Sequence, residues 1–82
     1  MNGKAIIILK IHSRKETYDI EVPLDISAND LVIALNQAFN LGIDTDDILN
    51  CFLRMESPIA LLKGEKLLQE YGMRNGSIIH IT

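Results

Sequence analysis

Tryptophan is absent from this 82-residue chain, cysteine occurs once, proline twice, and phenylalanine and tyrosine twice each. With a single thiol, Cys51, no internal disulfide can form; a small chain that dispenses with disulfides belongs in the cytosol, and Cys51 reads as a buried, inert side chain. Positive charge is also scarce, with eight Lys and Arg against eleven Asp and Glu and a formal net charge of −3. That balance offers no cationic surface to a phosphate backbone and argues against nucleic acid as a partner. Long hydrophobic runs are missing too. The run Ala5 to Leu9 is broken by Lys10, short of the roughly 7 to 15 apolar residues of a signal-peptide core and of the roughly 20 that insert directly into a membrane. Asn75-Gly76-Ser77 matches a glycosylation sequon, but without secretion it reads as a tight turn.

What the chain does have is aliphatic bulk, with 48% apolar residues. This suits one small core, so residues 1–82 are expected to form one domain. Ala5 to His12 alternates, with Ile7, Leu9 and Ile11 on one face and Ile6, Ile8, Lys10 and His12 on the other, the period of a strand. Tyr18 to Val22 alternates likewise, Tyr18, Ile20 and Val22 pointing inward, until Pro23 stops the ladder. Ser27-Ala28-Asn29-Asp30 is a capping box that starts a helix. Its expected core stripe is Leu31, Leu35, Ala38 and Phe39, and Gly42 is expected to end it. The acidic run Asp44-Thr45-Asp46-Asp47 lacks the glycine and distal glutamate of a calcium loop; it reads as a solvated turn capping a short helical segment, and no metal or cofactor is expected.

Asn50 to Met55 alternates again, Cys51, Leu53 and Met55 inward and Phe52 and Arg54 outward; Ile59 to Leu62 forms a short edge strand. Leu67 and Leu68 return to the core. After the Asn75-Gly76 turn, Ile79 and Ile81 point inward and Ile78 and His80 outward. The order strand, strand, helix, strand, short strand, strand puts one helix on one face of a mixed sheet, an α+β, β-grasp plan. A right-handed crossover then lays the last strand parallel to the first.

The stretch Leu68-Gln69-Glu70-Tyr71-Gly72-Met73-Arg74-Asn75-Gly76-Ser77-Ile78-Ile79-His80-Ile81 resembles ubiquitin-like proteins, in which a leucine, an acidic residue and a tyrosine precede a turn and the final strand. Tyr18 to Pro23, Asp30-Leu31-Val32 and Met73 to Ile79 resemble most the free-standing YukD/EsaB-type proteins of Gram-positive type VII (WXG-type) secretion systems. The resemblance implies a cytoplasmic accessory of a membrane-bound machine with an ATPase motor, a binding or regulatory subunit that is not conjugated to targets. The absence of a Gly-Gly tail after Thr82 points the same way. A sulfur carrier or protein tag, and a self-associating structural element, are the alternatives.

No enzyme is expected. His12 and His80 are the candidate bases; both should stand on the open sheet face, away from any concave pocket, and Ser13 should point away from its neighbour His12. That open face is the expected protein-binding site, formed by Ile6, Ile8, Phe52, Arg54, Ile78 and His80 with Lys10 beside them. The resemblance implies that Phe52 and His80 take the places of the apolar residue and the histidine in ubiquitin's recognition patch.

Overall fold

The period-two alternation becomes a five-stranded mixed sheet in a computed structural model that describes residues 3–82. Strand β1 spans Lys4–Ile11, β2 Glu16–Pro23, β3 Leu53–Glu56, β4 Ala60–Leu62 and β5 Ile78–Ile81, and helix α1 spans Ala28–Phe39. The spatial order is β2-β1-β5-β3-β4. β1 and β5 run parallel at the centre, while β1–β2, β3–β5 and β3–β4 are antiparallel. This is the expected β-grasp layout. α1 crosses one face, and the core lies between them: Ile7, Leu9 and Ile11 from β1, Ile79 and Ile81 from β5, Leu53 and Met55 from β3, against Leu31, Val32 and Leu35 of the helix.

The helix begins where the capping box places it. Asp30 N–H donates to Ser27 Oγ at 3.0 Å and Ser27 N–H to Asp30 Oδ2 at 3.4 Å. The two remaining first-turn donors, Ala28 N–H and Asn29 N–H, go to the carbonyls of Lys66 and Gly64 at 3.0 and 2.9 Å. The loop before the 3-10 turn Leu68–Tyr71 thus seals the helix start. That turn is itself held by Tyr71, whose hydroxyl donates to Lys63 O at 2.7 Å and accepts from Lys63 N–H at 3.2 Å.

Several sequence expectations shift. Ala38 is exposed and Val32 takes its place in the buried stripe. At about 100° per residue the stripe centres on Ala28, Leu35 and Phe39, and Ala38 lies on its margin. The helix ends at Asn40, in the left-handed region at φ 53°, two residues before Gly42. Asparagine tolerates that conformation, and Arg14 fixes it there: its two terminal nitrogens donate to Phe39 O and Asn40 O at 2.7 and 2.6 Å. β3 starts at Leu53 rather than Asn50, because the 3-10 segment Thr45–Asn50 runs on and Cys51 N–H bonds back to Ile48 O at 3.1 Å. As expected, Asp44 caps that segment, accepting from Asp46 N–H at 3.2 Å. Tyr18 faces inward on the edge strand but is only partly covered, by Phe39, with ring centroids 5.0 Å apart.

A buried polar residue was not anticipated. Ser77 is fully buried; its hydroxyl donates to Ser57 O at 2.7 Å and accepts from Arg74 N–H at 3.0 Å, tying the β3–β4 turn to the start of β5. Ser77→Ala leaves both partners short of a bond and should lower unfolding free energy by about 1–3 kcal/mol. Arg14→Ala strips the helix end of its charged donor and should cost about 1 kcal/mol or more. Urea denaturation of each variant measures both losses.

Candidate functional site

Because alternate strand residues point to opposite sides, burying Ile7, Leu9, Ile79 and Leu53 under α1 forces their neighbours onto the uncovered face. All six residues expected at a binding site arrive there. Ile6 and Phe52 are 55% and 52% exposed; Ile8, Ile78 and His80 are half-buried and Arg54 is exposed. They do not make one continuous apolar surface. Cross-strand pairing places Ile8 beside Ile78, with Ile6 next along β1; the following row runs Lys10, His80, Arg54, Leu61. A polar band therefore crosses the sheet between the isoleucines and Phe52. Arg54, not Phe52, sits directly opposite His80; Phe52 lies one step beyond, on the side where β5 ends. Ile6, bonded through its carbonyl to Gly76 N–H at 3.0 Å, is about 20 Å from Phe52 along the strand direction, at ~3.3 Å per residue.

The band is internally bonded. His80 Nε2 lies 2.9 Å from Glu56 Oε1, and His80 Nδ1 lies 2.8 Å from His12 Nε2. The His12 and His80 ring planes differ by 11° and their centroids are 5.1 Å apart. That separation is the N···N distance plus the two ring radii, so the imidazoles meet edge to edge in one plane rather than face to face. The proton positions follow from the chain of bonds. The Glu56 carboxylate accepts, so His80 Nε2 carries a hydrogen and donates; neutral His80 then has a bare Nδ1, and His12 Nε2 donates to it. His12 Nδ1 is left as the outer acceptor. Ser13 lies in the 3-10 turn His12–Arg14 that follows β1 and takes no part.

Contrary to the expectation of a flat surface, the histidines border a hollow of about 550 Å³ whose other wall is Met55, Ile59, Ala60 and Leu61. Ile59 and Leu61, at 89% and 52% exposure, were not predicted for this site. The edge-strand alternation carried the signal for Leu61, which pairs with Arg54 across the β3–β4 ladder. A second depression, of about 630 Å³, opens beside Phe52 between Leu41, Ile43, Arg54 and Ile81. Glu56 and His12 were missed as a unit because their bonding depends on three strands converging.

Removing the carboxylate tests the assigned tautomer. In Glu56→Ala, His80 loses its fixed hydrogen and should show mixed tautomers in nitrogen-detected histidine spectra, whereas Glu56→Gln, which still offers an acceptor oxygen, should keep the wild-type pattern.

No curated protein sequence matches the chain. Solved structures do, as ubiquitin-like domains. The C-terminal ubiquitin-like domain of mouse tubulin-specific chaperone e superposes with a TM-score of 0.73 at 12% identity, covering 98% of this chain and 86% of that one. The ubiquitin-like domain of tubulin-binding cofactor B gives 0.72 at 19% identity, over 98% and 89%, and that of yeast Ddi1 gives 0.68 at 18%, over 98% and 88%. At such identities the likeness establishes the ubiquitin-like β-grasp fold alone. The model of one family, described as "WXG100 protein secretion system (Wss), protein YukD", matches residues 6–81. With that match spanning nearly the whole ubiquitin-like fold, the chain belongs to the YukD family of WXG100 secretion-system proteins.

Proposed function

We propose that the chain is a cytoplasmic binding module of the secretion system, docking a protein partner through its open sheet face and performing no catalysis of its own. The observation that carries this is the outward placement of Ile6, Phe52, Ile59 and Leu61, each more than half exposed. Large apolar groups exposed on one face of so small a domain, here on both sides of the polar band, support an interface there. The secretion-system family supplies the setting, and a cytoplasmic part of the membrane-bound ATPase is the partner it suggests. Membrane insertion is not part of the proposal: among the described residues no helix is long and apolar enough to cross a bilayer.

The bonded Glu56–His80–His12 chain resembles part of a catalytic relay. No hydroxyl or thiol nucleophile is bonded to it among the described residues, and the role we assign to it is structural, holding the middle of the docking face in one arrangement.

The proposal is tested by co-purification from cells of the host. Phe52→Glu should leave thermal unfolding close to wild type, and Ile8→Ser should keep a cooperative fold at a lower melting temperature because the Ile8 side chain is half-buried, while each reduces recovery of the partner at least tenfold. Undiminished recovery by both folded variants would remove the sheet face as the docking site.

A further inference from the structure

Resting on that docking reading, we infer that the segment received by the open face is an acidic amphipathic peptide of a partner protein, its carboxylates meeting Lys10 and Arg54 and one bulky apolar side chain entering the hollow beside Arg54. Three observations converge. First, the cations are concentrated. In a chain of net charge −3, Lys10 and Arg54 flank His80 in a single cross-strand row, two strand spacings or about 10 Å apart. Second, they are unclaimed. Among the described residues no lysine or arginine nitrogen lies within ion-pair distance of a carboxylate; the one basic side chain that meets a carboxylate is the His80 imidazole, 2.9 Å from Glu56. Glu56 stands two residues from Arg54 on the same side of β3 and is its natural partner, yet its carboxylate is held by the histidine chain. Third, the row leads into a hollow of about 550 Å³ whose outer side, Ile59, Ala60 and Leu61, offers apolar contact to an entering side chain, while Arg54, Glu56 and the two histidines line its inner side.

The opposite margin of the same face sets a direction. Asp19 pairs with Ile8 and Glu21 with Ile6 on edge strand β2, so a wholly acidic ligand lying across the sheet would be repelled there. The segment is therefore placed toward β5, β3 and β4, with its carboxylates over the Lys10–Arg54 row and its apolar side chain toward Leu61. A spacing of about 10 Å corresponds to about two turns of helix, so carboxylates seven residues apart on an amphipathic helix span the two cations.

Three synthetic amphipathic peptides that share one apolar face test the inference, their polar face carrying Glu at seven-residue spacing, Gln, or Lys. Each is titrated into the isotope-labelled full chain. The Glu peptide alone should shift the amide signals of Lys10, Arg54, Leu61 and His80, and its affinity should fall as salt is raised. Arg54→Glu should weaken it about tenfold or more, and should admit the Lys peptide in its place. Equal binding of the Gln peptide, shifts confined to the helix side of the sheet, or no binding by any of the three would overturn the inference. The two readings fail separately. If Phe52→Glu abolishes partner recovery from cells while Arg54→Glu preserves it, the docking face stands and the acidic ligand falls. If neither variant affects recovery, the docking face falls as well.

Discussion

The parallel pairing of β1 with β5 is the constraint on which everything else rests. These two strands, the first and last of the chain, meet at the sheet centre with Ile8 level with Ile78 and Ile11 level with Ile81. A slip of one residue in that pairing would set the inward residues of one strand level with the outward residues of the other, turning either Ile7 and Leu9 or Ile79 and Ile81 out to water. The register is held at the point of entry. Asn75 Oδ1 accepts from Ile6 N–H at 2.8 Å, Gly76 N–H donates to Ile6 O at 3.0 Å, and Ile8 N–H donates to Ser77 O at 2.8 Å. Gly76 bends the chain at a φ of 89°, a conformation that favours glycine. The buried Ser77 hydroxyl then anchors the same point to the β3–β4 turn.

From that register the character of the exposed face follows. Each cross-strand row takes one residue from each strand: one row runs Asp19, Ile8, Ile78 and Glu56, its isoleucines in the middle between two carboxylates, and the next runs Lys10, His80, Arg54 and Leu61. Within the polar row the histidine serves two neighbours at once, fixing Glu56 on one nitrogen and accepting from His12 on the other. The acidic residue nearest Arg54 is thereby drawn aside, and the cations remain available to something outside the chain. The two sides of the one sheet differ in character: the helix side is closed and aliphatic, and the open side, where docking is proposed, carries half-exposed isoleucines and a bonded polar band.

The comparisons divide in a parallel way. Structures related at under 20% identity share the architecture, which many unrelated roles use. The secretion-system family match covers residues 6–81, the span that includes both the core and the open face. Fold and family therefore rest on different observations, and the nature of the ligand rests on a third, the arrangement of side chains on the uncovered side of the sheet.

The sequence by itself determined what is local and periodic. Alternation sorted Ile6 to Ile11 of β1 and Ile78 to Ile81 of β5 to the correct faces, the Ser27–Asp30 box located the helix start, and Asn75-Gly76 located the last turn. These are encoded within a few residues, by side-chain period and by backbone preference. Tertiary structure decided what depends on partners distant in the chain. Arg14 reaches the helix end 25 and 26 residues away, Ser77 reaches Ser57 over 20, and His12 meets His80 over 68. Whether Arg54 or Phe52 would stand opposite His80 hung on a register that neither strand contains alone, and the hollow beside β4 exists only once three strands have been brought together.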